Sequence, residues 1–112
     1  MDDSYSIANL EELGDMFKKL LIILEKEGDY EVKYAKTVLN KIVIDIENIL
    51  LNTNTINLTE VFYGIIQDYK SLYPPKSGLT EFFIWRDDYN ERVKANKNLD
   101  DLKNNIKKII GV

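Results

Sequence analysis

Residues 29–52 read DYEVKYAKTVLNKIVIDIENILLN, and the fold class turns on how the central KIVIDI, residues 41–46, is taken. Its β-branched content and partial alternation favour a strand. Across the full stretch, however, Ala35, Val38, Leu39, Ile42, Ile46, Ile49 and Leu50 recur at intervals of three and four, the spacing of one helix face. A periodicity kept over about 22 residues outweighs a short local signal, so the stretch predicts a helix from about 29 to 51. Val43, Ile44 and Leu51 widen its apolar stripe, which makes this the helix expected to be most buried.

Working outward, the preceding segment carries Ile7, Leu10, Leu13, Phe17, Leu20, Leu21 and Leu24 on one face, a helix from about 6 to 27. Asn9 followed by Glu12 offers a capping-box start, with Ser4 or Ser6 as earlier alternatives. Gly28 is expected to stop this helix in a left-handed conformation and Asp29 to cap the next. Downstream, LNTNTIN (51–57) is a loop by composition. Asn57 with Glu60 caps a third helix, flanked by Ile56 and Val61 at hydrophobic-staple positions. Its face continues to Tyr73, and Pro74-Pro75 end it at about residue 72. After LTEFFIW (79–85), Asp88 with Glu91 opens a helix over about 88–96. Asn98 caps a last one, whose stripe of Leu99, Leu102, Ile106, Ile109 and Ile110 ends at Gly111. Each helix has one apolar face and needs partners. The prediction is therefore all-α, an antiparallel four-helix bundle in one domain over 1–112, with an irregular arm at about 74–87 across one end.

Composition narrows the chemistry. The chain has 112 residues, no Cys and no His. Disulfides, thiolate catalysis and Cys-ligated zinc are excluded, and the usual general base near neutral pH is missing. No catalytic, cofactor or metal site is expected. The adjacent acids Glu11-Glu12, Asp87-Asp88 and Asp100-Asp101 point about 100° apart on a helix and read as helix-terminal charges. Di-iron bundle motifs need a His, and the calcium-loop pattern is absent. The five glycines are isolated and form no phosphate-binding loop. Gly14 and Gly64, inside helical patterns, are expected to mark close helix approach.

The net charge is −4, split between an acidic N-terminal part and a basic C-terminal one. Residues 1–31 hold nine acids against three lysines, and residues 92–112 hold six bases against two aspartates. An acidic total argues against nucleic acid as partner, and the basic tail reads as a helix face complementing the acidic first helix. No apolar run reaches the length of a membrane span, and the start of the chain lacks signal-peptide features, so a cytoplasmic location is expected. Abundant Ile, Asn and Lys with two Arg point to an AT-rich bacterial genome.

What remains is surface recognition. Residues 73–92 gather Tyr73, Phe82, Phe83, Trp85, Arg86, Tyr89 and Arg92, with Asp87 and Asp88. Tyr, Trp and Arg are the residue types enriched at binding hot spots. Two readings stand: Phe82, Phe83 and Trp85 plug the open end of the bundle while Arg86 pairs locally with an Asp, or the edge Trp85, Arg86, Asp87, Asp88 and Tyr89 meets a protein partner. A structural module that homodimerises through Val43, Ile44 and Leu51 is the alternative function.

The element Tyr73-Pro74-Pro75, Gly78-Leu79 and Phe82-Phe83-Ile84-Trp85-Arg86-Asp87-Asp88 resembles a motif in small uncharacterised bacterial proteins associated with toxin and bacteriocin immunity. Chain length and the predicted bundle are also similar to those of class IIa bacteriocin immunity proteins, an analogy of fold. The resemblance implies a cytoplasmic, non-enzymatic protein that protects its host by binding a toxin or a toxin's receptor.

Overall fold

The computed structural model describes residues 5–54, 56–74, 78–80 and 82–111. These form four α-helices, α1 (Ile7–Glu27), α2 (Lys33–Leu51), α3 (Leu58–Lys70) and α4 (Tyr89–Ile110), with 3₁₀ turns at Tyr30–Val32 and Gly78–Thr80. No strand occurs among the described residues. KIVIDI is helical, and its burial has helical spacing: Ile42, Val43 and Ile46 are buried, while Ile44 and Asp45 face outward.

The bundle is built on α1, which pairs along α2 and packs against α4 on another side. Leu10, Leu13, Phe17, Leu20 and Leu24 all lie on its buried face. α3 lies on α2 and makes two aromatic contacts on the α1 side, Tyr5, just before α1, stacked on Phe62 at 4.6 Å and Phe17 of α1 tilted against Tyr69 at 6.2 Å. Gly14 marks close approach as expected, since a Cβ there would stand 3.1 Å from Ile46 Cγ2 on α2. Gly64 does not. A Cβ there would meet nothing within 4 Å, so helix packing gives it no role.

Several boundaries depart from expectation, each for a local reason. Ser6, not Asn9, is the N-cap of α1, and its side chain accepts from the Asn9 amide. Ser4 lies outside the described residues. Gly28 ends α1 in extended backbone (φ −84°, ψ 158°) rather than left-handed, and its amide donates to the Leu24 carbonyl. A side chain there would overlap Val32 and that carbonyl, so glycine is required by space. Asp29 precedes a 3₁₀ turn. α2 begins only at Lys33, and Val32 at its N-cap makes no side-chain capping bond.

Asn57 caps α3 as expected, accepting from the Glu60 amide at 3.2 Å. The helix ends at Lys70, short of 72, because Tyr73 precedes a proline and is disfavoured from helical backbone. The Leu72 and Tyr73 amides turn instead to the carbonyls three residues back. Pro75 lies outside the described residues.

The two helices expected after Asp88 are one. α4 runs for 22 residues, with Asp88 as N-cap and Gly111 in left-handed backbone (φ 76°) as its stop. No Pro or Gly interrupts it, and Asn98 sits mid-helix beside an i,i+4 ion pair, Lys97 to Asp101 at 2.9 Å. The first fully buried side chain of α4 is Leu99. Of the apolar side chains on residues 89–98, about 15 Å of helix, only the half-buried Ala95 packs against the core.

Candidate functional site

Beyond the buried Leu79, whose amide donates to the Leu72 carbonyl at 2.9 Å, the described part of the segment leading into α4 is fixed at two further places. The first is Ile84, which is buried and bonded on both backbone groups by the side chain of Asn96, one turn before Leu99. Its amide donates to Asn96 Oδ1 at 2.8 Å, and its carbonyl accepts from Asn96 Nδ2 at 2.8 Å. The same Nδ2 reaches the Arg92 carbonyl at 2.9 Å. An amide side chain matches a peptide edge with one acceptor and one donor, and here it stands in for a neighbouring strand.

The second is Arg86. Its guanidinium holds Glu27, at the end of α1, through a bidentate pair of 2.7 and 2.6 Å, and also donates to the Trp85 carbonyl at 2.8 Å. Glu27 sits at the negative end of the α1 dipole, an unfavourable place that a cation relieves. Hydrogen bonding from Arg86 holds the Glu27 carboxyl below the usual carboxylate range, and Glu27 in turn raises Arg86.

Through these fixings the burial alternates as in an extended chain: Phe82 is half-buried, Phe83 exposed, Ile84 buried, Trp85 exposed and Arg86 half-buried. The expectation that Phe82, Phe83 and Trp85 together plug the bundle is thus corrected. Ile84 fills that place with partial help from Phe82, and a period of two turns the others outward. The expected local pairing of Arg86 with an Asp is corrected too, because its carboxylate comes from α1.

Phe83 and Trp85 are each 60% exposed and Tyr89 66%. The Arg92 guanidinium lies 4.5 Å from the Trp85 ring centre and 5.5 Å from that of Tyr89, a cation–π bridge across the start of α4. Trp85 Nε1 donates to Asp87 at 3.3 Å. Of the five residues singled out in the sequence, Trp85, Asp87 and Tyr89 share this surface. Arg86 and Asp88 are turned to structural tasks, Asp88 accepting from the Glu91 amide at 2.9 Å. Phe83 and Arg92 complete the surface and were not among the five. The signals for them were present: Phe83 is two residues before Trp85 in non-helical chain, and Arg92 is three after Tyr89 on a helix.

Tyr73 belongs to the base of the arm. The Tyr69 hydroxyl donates to that of Tyr73 at 3.0 Å, and Lys103 lies over the Tyr73 ring at 5.7 Å. Burial pushes both phenols up and the Lys103 amine down. On α2, Val43 is buried, and Ile44 and Leu51 remain exposed. Among the described residues no cluster of acids could hold a metal ion, and no helix is long and apolar enough to cross a membrane. No family model, curated protein or solved structure matches the chain.

Proposed function

We propose that the protein is a non-catalytic protein-binding module whose surface of Phe83, Trp85, Tyr89 and Arg92 meets a protein partner. The observation that carries this reading is that three large aromatic side chains stand in water, Phe83 and Trp85 on a segment held by specific bonds to α1 and α4 and Tyr89 on the first turn of α4. At 150–250 Å² per aromatic side chain, their exposed parts amount to roughly 300–450 Å². Covering that area is worth about 7–11 kcal/mol gross, before the costs of association. A surface already held in place loses little side-chain freedom on binding, which is how few residues come to dominate an interface. The motif resemblance extends the proposal: the partner is a toxin or a toxin's receptor, and binding protects a bacterial host.

The test uses the products of adjacent genes as binding candidates, with Trp85 emission as the signal, since it is the sole tryptophan. A partner should shift that emission to the blue, and Phe83→Ala and Tyr89→Ala should each weaken binding and any protection. Variants that keep their helical circular dichroism and still bind and protect fully would remove the proposal.

A further inference from the structure

α2 and α3 leave between them an open groove of about 330 Å³, away from the aromatic surface. Half-buried Ile49 and Val61 supply its apolar surface above the buried Ile42, Ile46 and Ile65, and Asp45, Glu60 and Asp68 stand among its lining. Lys41 bridges two of these acids, at 3.1 Å to Asp45 and 2.9 Å to Asp68, and with Glu60 the lining holds three carboxylates against one ammonium and is net negative. Gly64 is on its wall. An interior helix glycine is destabilising relative to any ordinary residue, and no neighbour forbids a side chain here. A side chain at this position would have open space on the groove wall.

We infer that this groove receives a cationic amphipathic peptide segment. An apolar side chain of that segment covers Ile49 and Val61 beside Gly64, and a lysine or arginine next to it reaches the carboxylates. Sign and shape both select this occupant: the volume suits one or two large side chains, the groove is too open to enclose a free small molecule, and the acids favour a cation. The inference is independent of the function proposed above, because it uses other residues on other helices.

The experiment measures fluorescence anisotropy of a labelled helical peptide of leucine and lysine, with its leucine–glutamate counterpart as control. The lysine peptide should bind the wild-type protein and the glutamate peptide should not. Gly64→Leu replaces glycine with a strong helix former whose branched end fills the groove, and should weaken binding by about tenfold or more. Asp45→Asn with Glu60→Gln leaves Lys41 its Asp68 partner and should weaken binding several-fold at low salt, roughly as lost charge attraction predicts. This surface variant decides the matter alone if Gly64→Leu does not fold. No binding of the lysine peptide, equal binding of both peptides, or full affinity in the folded variants overturns the inference. So does a sedimentation result in which the wild type self-associates and Gly64→Leu is monomeric, which would make a second copy the occupant.

Discussion

Replacing Asn96 with alanine should release the arm while leaving the bundle folded. Two of the three Asn96 bonds cross to Ile84, at 2.8 Å each. A neutral hydrogen bond contributes about 0.5–1.5 kcal/mol net, so their loss costs about 1–3 kcal/mol. Alanine regains about 0.5 kcal/mol in helix propensity, leaving a net loss of about 0.5–2.5 kcal/mol. Urea denaturation followed by circular dichroism measures that loss, and Trp85 emission reports the arm directly. Asn96→Asp sharpens the test. It keeps an acceptor for the Ile84 amide but sets a carboxylate against the carbonyls of Ile84 and Arg92. At neutral pH it should cost at least as much as alanine, and it should recover stability in acid, where the protonated carboxyl again offers a donor. An alanine variant within about 0.5 kcal/mol of wild type, or an aspartate variant equal to wild type at neutral pH, would refute the clamp.

Gly64→Ala should raise stability by up to about 1 kcal/mol, because the helix gains and nothing is displaced. Gly14→Ala should gain less, since its Cβ must press on Ile46; denaturation midpoints compare the two. The Glu27 carboxyl is held below its unfolded value of about 4.3, so its contribution is present above that pH and is lost as pH falls through the folded value. An acid titration of Trp85 emission should show this transition, and Glu27→Gln should abolish it. Tyr69 and Tyr73 are both raised above about 10, so the stability they contribute is present below that pH and is lost as pH rises beyond it. Tyrosinate absorbance should show these two of the seven tyrosines ionising only as the protein unfolds in alkali.

The helices were legible because each keeps its apolar spacing for several turns, and α2 declared itself despite a β-rich centre. Caps were legible where a side chain reaches an amide three residues on, as at Asn57 and Asp88. The corner at Gly28 was not, since glycine is needed there for want of space beside Val32 and the Leu24 carbonyl, a crowding the local sequence does not show. Asn98 looked like a cap, but a capping residue inside a run without Pro or Gly has no need to end a helix. In the arm, the residue types were visible and their directions were not. Which of Phe82, Phe83, Ile84 and Trp85 turns inward depends on Asn96, twelve residues beyond Ile84, and the partner of Arg86 is 59 residues away.

That separation also bears on the order of assembly. α1 and α2 are neighbours in the chain and bury their faces against each other at once, a local pairing that forms quickly. The Arg86–Glu27 bond must close a loop of most of the intervening chain, so the arm docks after the helices it joins. By the same reasoning it detaches first. In amide exchange the Ile84 amide should open at a lower free energy than those of α1 and α2, as a cooperative unit distinct from the core. Half of the aromatic surface, Phe83 and Trp85, thus rides on the part of the molecule that can leave and return without the fold being lost, while Tyr89 and Arg92 stay with α4.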